Sequence, residues 1–151
     1  MSAVPAATIR AGRAQDLDSI LALEAGFTSD RMSARSVRYF LTADSARVLV
    51  AEIRGLVAGV LILLLRRNSG WARIYSVAVD PRQRNLGLGR RLIEAAEQQA
   101  RRDGRRGMSL EVRIDNAGAR ALYARLGYQE HATLRAYYED GASGVRLRKP
   151  V

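Results

Sequence analysis

Three observations predict an α/β (α+β) fold, a mixed and mostly antiparallel sheet of about seven strands flanked by about four helices. Two β-rich runs, Arg47 to Ile53 and Leu56 to Arg66, meet at Arg54-Gly55 as hairpin strands do, and Asn68-Ser69-Gly70 turns the chain into a third run, Trp71 to Val79. Leu88, Leu92, Ile93, Ala96 and Ala100 then recur at helical spacing. The element order β-α-α-β-β-β-α-β-α-β-β packs helices on a largely antiparallel sheet.

Taken in order, Thr8 to Ala11 reads as a short strand. A helix follows from about Asp16 to Ala25, with Leu17, Ile20, Leu21 and Glu24 at helical spacing. Gly26 to Met32 reads as a loop, and Ser33 is a good N-cap for a second helix that turns Val37, Phe40 and Leu41 inward. Pro81 ends the third β-run. The helix beginning near Leu88 is expected to pair Glu97 with Arg101 across its wet face, and Asp103-Gly104 closes it. Met108 to Ile114 is a strand, Asn116 caps a short helix to Leu126, and Gly127 stops it. Tyr128 to Leu134 and Val145 to Arg148 are the last strands, around a loop containing Asp140-Gly141.

At 151 residues the chain is expected to be one domain, 1–151, with a self-sufficient core. Its hydrophobic share of 48% and charged share of 26% are those of an ordinary globular protein. The absence of cysteine excludes a thiol nucleophile and thiolate metal sites, and the single histidine leaves little for a zinc site or a Ser-His-Asp triad. That histidine, His131, reads as surface or structural. Met1 to Thr8 lacks the pattern of a secretory signal and Leu56 to Leu65 is too short to span a bilayer, so a cytoplasmic location is expected. The formal charge is +10, nearly all of it arginine, since Lys149 is the only lysine. Such a field suits an anionic partner, and it equally suits a codon bias that turns surface lysines into arginines. The arginine pairs are scattered and lack the aromatic interleaving of a single-strand binder, which makes nucleic acid a secondary hypothesis.

The most informative stretch runs from Val77-Ala78-Val79 through Arg84-Asn85-Leu86-Gly87-Leu88-Gly89 into Arg90-Arg91. A strand, a glycine turn and a basic helix start make a phosphate cradle, because the first helical turn aims unpaired N–H groups at whatever lies there. A third glycine is missing for a dinucleotide fingerprint, and no Gly-Lys-Ser/Thr follows for a Walker loop. The same residues also suit a tight turn with no ligand. Arg84-x-x-Gly87-x-Gly89 after an apolar strand resembles the acetyl-CoA pyrophosphate loop of the GNAT N-acetyltransferase superfamily, and the element order resembles its fold over nearly the whole chain.

A second constellation is Leu110-Glu111-Val112-Arg113, then Asn116, then Ala121-Leu122-Tyr123. Glu111 lies among apolar strand residues, where an unpaired carboxylate is expensive, so it is either salt-bridged to an arginine such as Arg113 or kept for chemistry. Tyr123 shares a helix face with Ala119, Leu122 and Leu126 and equally reads as core. These residues resemble the ribosomal-protein alanine N-acetyltransferase branch of GNAT. The resemblance implies Glu111 as general base, Tyr123 as general acid, Asn116 against the pantetheine arm and Val77, Ala78 and Val79 along the cofactor, with backbone N–H groups around Val77 facing the thioester oxygen. An α-amine has a pKa of about 8 and a lysine amine about 10.4, so an acceptor must lose a proton near neutral pH, and the departing thiolate gains from being protonated. No metal and no covalent enzyme intermediate are required.

For the acceptor, Tyr137 and Tyr138 within Arg135-Ala136-Tyr137-Tyr138-Glu139-Asp140-Gly141 resemble the Tyr-Tyr segment bordering the peptide groove of protein N-terminal acetyltransferases. Phe27 in the inter-helix loop is the third substrate-side residue. The Pro-Trp typical of the ribosomal-protein enzymes is absent from that loop, and Asn85 replaces a basic or small residue of the pyrophosphate loop. The expected partners are acetyl-CoA and an amine acceptor, a protein N-terminus being favoured over a lysine or small amine, with no membrane, in a monomer or homodimer. A CoA-sensing or RNA-binding module without catalysis is the remaining alternative.

Overall fold

The computed structural model describes residues 6–26, 32–83 and 86–151. Seven strands, β1 (Ala7–Ala11), β2 (Ala46–Ile53), β3 (Leu56–Leu64), β4 (Trp71–Val79), β5 (Gly107–Arg113), β6 (Gln129–Leu134) and β7 (Gly144–Pro150), form one sheet in the order β1-β2-β3-β4-β5-β7-β6. Every neighbouring pair is antiparallel except β4 with β5. The helices are α1 (Leu17–Ala25), α2 (Ala34–Thr42), α3 (Leu88–Arg102) and α4 (Ala117–Arg125). This is the expected mixed architecture.

Side-chain alternation along the strands divides the core between two faces. Val48 and Val50 of β2, with Val60 and Ile62 of β3, pack on Ile20, Leu23 and Val37 of α1 and α2. Leu49, Ala51 and Ile53, with Leu61 and Leu63, pack on Leu88, Leu92, Ile93 and Ala96 of α3. Burial on both faces explains why β2 and β3 read as continuous apolar runs. Arg54 and Gly55 both take positive φ, 52° and 78°, the geometry of a two-residue hairpin turn. Ser33 caps α2 by accepting from Ser36 N at 3.1 Å, and Asn116 caps α4 by accepting from Ala119 N at 3.1 Å.

Two irregularities build the site. Ile62 pairs with Ser76 and Leu63 with Ile74, so Tyr75 is an extra residue bulged out of β4. The parallel β4–β5 ladder then runs only from Trp71/Gly107 to Arg73/Ser109, after which β4 continues along β3 to Val79 and β5 along β7 to Arg113. The two strands therefore open into a wedge.

Glu97 differs from expectation. It is buried on α3, where its Oε2 accepts from the Tyr128 hydroxyl at 2.8 Å and from Lys149 Nζ at 3.0 Å, rather than pairing with Arg101 on a wet face. Its partners arrive from the β6 entry and β7, and helical spacing carries no information about strands that pack from so far along the chain.

Candidate active site

In antiparallel pairing, alternate residues bond to the neighbouring strand and the intervening ones point away. Asp80 N donates to Ala58 O at 2.8 Å, so by alternation Ala78 and Ser76 face β3. The N–H groups of Val79 and Val77 accordingly point into the wedge. At its mouth Gly87 adopts φ 72° and ψ 20° as the N-cap of α3. Arg91 N donates to Gly87 O at 3.0 Å, which leaves the amides from Gly87 to Arg90 unused by the helix. A side chain at Gly87 would meet nothing within 4 Å, and one at Gly89 only Val79 Cγ2 at 3.9 Å, so the space before these amides is open. Leu88 anchors the turn in the core and Leu86 packs against it. Arg90 bonds Glu94 at 2.7 Å and Arg91 donates to Ala7 O at 2.8 Å, which engages both guanidinium groups within the protein. Phe27, Arg84 and Asn85 lie outside the described residues.

Glu111 and Tyr123 lie on opposite faces of the sheet. Leu110 and Val112 of β5 share the α3-side core with Tyr123, and alternation turns Glu111 the other way. The Glu111 side chain is 7% exposed. Its Oε1 lies 3.0 Å from Arg73 Nε and 4.0 Å from Arg146 Nη2. Its Oε2 is buried and accepts no hydrogen bond from the described residues. Arg113, the partner suggested by sequence adjacency, instead pairs with Asp115 at 3.2 Å and Asp140 at 2.8 Å. The physical reason is register: Arg146 stands directly across β7 from Glu111, whereas Arg113 is one pleat further along. Tyr123 is buried edge-on to Tyr128, ring centroids 5.3 Å apart, and burial pushes its phenol up to about 12. It is therefore a protonated donor at neutral pH.

On the Glu111 face lies a 560 Å3 cleft, lined among others by Glu24, Arg73, Ser76, Tyr137 and Tyr138. Tyr137 and Tyr138 pack edge-on at 5.0 Å, and Arg73 Nη2 donates to the Tyr137 hydroxyl at 3.3 Å. The expected substrate-side tyrosines thus share a cavity with the expected base. Sequence reasoning missed Glu24, Ser76, Arg73 and Arg146 as members of this neighbourhood. Glu24 accepts from Ser76 Oγ at 2.7 and 2.9 Å, and burial raises its pKa. Its inward helical spacing was the available signal, while the arginines required the strand register. Asn116 occupies the α4 cap, and His131 is exposed with Nε2 3.2 Å from Arg148 Nη1. Among the described residues no group of three or more His, Asp or Glu side chains could hold a metal ion.

Residues 15–128 match the Acetyltransferase (GNAT) family. The chain is 31% identical over 142 residues to a putative ribosomal protein bS18-alanine N-acetyltransferase of Bacillus subtilis, covering 93% of each chain. It is 42% identical over 67 residues to the ribosomal protein bS18-alanine N-acetyltransferase of Escherichia coli, covering 44% of this chain and 45% of that one. The crystal structure of the Escherichia coli ribosomal-protein-S18-alanine N-acetyltransferase superposes with a TM-score of 0.86 at 27% identity, covering 97% of this chain and 94% of that one. With the fold, the split strands and the family match in agreement, the chain belongs to the GNAT family of N-acetyltransferases.

Proposed function

We propose that this enzyme moves an acetyl group from acetyl-CoA directly to the α-amine of a protein N-terminus, within one ternary complex. The observation that carries the reading is the wedge between β4 and β5, with a carboxylate on one face and a phenol on the other. An amine entering the tyrosine-lined cleft meets Glu111, and a thiol leaving toward the α3 face meets Tyr123. The names of the relatives, ribosomal protein bS18-alanine N-acetyltransferases, support a protein N-terminus as acceptor.

The residues present fit the cosubstrate. Amides of Leu86 to Arg90 would hold the pyrophosphate, joined by Arg84 and Asn85, and Val77, Ala78 and Val79 would run beside the pantetheine arm as an unpaired strand edge. Asn116 spends Oδ1 on its cap and keeps its NH2 for that arm. When bound, acetyl-CoA supplies the activated acyl group. Glu111 Oε2 takes the ammonium proton, directly or through water, so that the nitrogen lone pair is free. The Val77 N–H, turned away from β3, would donate to the acyl oxygen where negative charge develops. The Tyr123 hydroxyl would give its proton to the departing sulfur and regain one as the acylated nitrogen sheds its second proton. Tyr137, Tyr138 and Phe27 border the acceptor.

The test incubates the protein with labelled acetyl-CoA and peptides of free N-terminus, and maps the modified nitrogen by mass spectrometry. Label on the α-nitrogen of peptides supports the reading. Turnover confined to polyamines, amino acids or aminoglycosides overturns it.

A further inference from the structure

The described residues cover only half of the sheet face opposite α3. The apolar cluster under α1 and α2 reaches no farther along the sheet than Ala78 of β4. Beyond it, strand register lays out rows of side chains on one face: Arg73, Ser109 and Arg148 in one, Glu111 and Arg146 in the next. Trp71 lies over the bare backbone of Gly107, where any side chain would collide with its ring. Arg148 stacks on that ring at 4.6 Å and Arg106 at 5.4 Å. Beside Trp71 lies a cup of 310 Å3 whose described lining holds four guanidinium groups, Arg66, Arg73, Arg146 and Arg148, against the single carboxylate of Glu111. Among the described residues, neither Arg66 nor Arg148 has a carboxylate within salt-bridge distance, and Arg148 Nε is buried without a hydrogen-bond acceptor.

The cup is continuous with the acceptor cleft, because Arg73, Glu111 and Tyr137 line both. A chain whose amine sits at Glu111 and whose backbone passes Tyr137 is thereby led onto the arginines. Guanidinium forks match carboxylates in shape and charge, and an extended peptide advances about 3.3 Å per residue, so the side chains that reach the cup come soon after the amine. We propose that this cup is a specificity subsite for acidic side chains at the second to fourth residues of the acceptor peptide. The proposal rests on the peptide-acceptor reading and adds to it a substrate class, N-termini followed by Asp or Glu.

Three peptides sharing an N-terminal Ala and differing only in Glu, Gln or Lys at positions two to four provide the test. The Glu peptide is expected to exceed the Lys peptide in kcat/KM by roughly ten- to hundredfold, the scale of hydrogen bonds to charged groups. Raising the salt from about 0.05 to 0.5 M should shrink the advantage, because exposed charges are screened. Arg66→Gln with Arg148→Gln should bring the Glu-to-Gln ratio close to one, and Arg66→Gln alone, at an exposed position, should lower it by a smaller factor in an undisturbed fold. Equal rates for the three peptides, or a Lys preference, would overturn the subsite.

A second readout separates this proposal from the peptide-acceptor reading. Trp71 is the chain's one tryptophan, so an N-acetylated Glu peptide, which has no reactive amine, is titrated by its fluorescence. Salt-sensitive binding that is lost in the double variant supports the cup even where no peptide is acetylated. No binding, or tighter binding of a single-stranded oligonucleotide of equal charge, overturns it.

Discussion

Tyr128 donates its hydroxyl to the buried carboxylate of Glu97 at 2.8 Å while standing edge-on to Tyr123. Lys149, on the last strand, approaches the same carboxylate at 3.0 Å, so one acidic group on α3 ties the β6 entry and β7 beneath the expected general acid. Glu97→Ala removes the acceptor for two donors, and its cost is expected at about 2–4 kcal/mol. Glu97→Gln keeps an oxygen for Tyr128 and should cost less. Urea denaturation of both variants checks the order, and equal stability of the alanine variant and the wild type would show that the cluster contributes nothing.

Tyr123→Phe retains the ring in its pocket and removes only the proton donor. kcat is expected to fall by roughly ten- to ten-thousandfold with CoA affinity nearly intact. Glu111→Gln should lower the rate most at low pH, where the amine is mainly protonated and its proton must be taken away. Stopped-time assays across pH 6–9, estimated to bracket the α-amine near a pKa of about 8, provide the comparison. Unchanged pH–rate profiles in both variants would reassign these residues to packing.

The two glycines of the turn are expected to separate folding from binding. Gly87 sits at φ 72°, so Gly87→Val should lose about 1–3 kcal/mol of stability from strain alone. Gly89 is helical, with open space before it, and Gly89→Val should leave the melting temperature unchanged or slightly raised. Both should weaken CoA binding, because a branched side chain fills the space in front of the helix amides. Calorimetric titration reads the affinity, and wild-type affinity in Gly89→Val would remove the cradle assignment.

Among the described residues, the buried carboxylate of Glu24 has only the Ser76 hydroxyl to meet its charge. Burial raises its pKa from 4.5 in the folded protein, so as pH rises the unfolded chain releases this proton first. Stability is therefore full below 4.5 and is lost as pH climbs through the folded value. Glu24→Gln escapes that loss. The variant should match the wild type at acid pH and exceed it at neutral pH, a difference readable from denaturation midpoints at both. A wild type that gains on the variant as pH rises would show the sign to be reversed.

Replacing both Tyr137 and Tyr138 by alanine should raise KM for a peptide acceptor far more than for acetyl-CoA, because the rings line the proposed acceptor cleft, to which no residue of the glycine turn contributes. Equal peptide KM in the two proteins would point to a compact amine instead.

Local order was legible in the residues themselves. The hairpin at Arg54-Gly55, the caps at Ser33 and Asn116 and the α3 stripe all depend on neighbours within a few positions, and each lies where periodicity and turn chemistry place it. The glycine turn and the Glu111/Tyr123 pair were likewise visible as motifs, as was their resemblance to the GNAT family. Glu24 was half legible, its inward spacing apparent and its partner on β4 hidden.

Relationships between elements were settled only by the folded chain. The partner of Glu111 is Arg73 or Arg146, not the adjacent Arg113, because register rather than sequence distance decides which side chains share a row of a sheet. Glu97 changed from a wet-face residue to a buried anchor because β7 returns Lys149 to it. The opening of β4 from β5 left no mark in the composition of either strand, since it arises from each being held by a different neighbour. By itself, then, the sequence determined the elements, their capping and the family through short-range stereochemistry and motif. Tertiary structure alone decided the wedge, the placing of Glu111 and Tyr123 on opposite faces and the arginine-lined cup, because these depend on pairings between strands far apart in the chain.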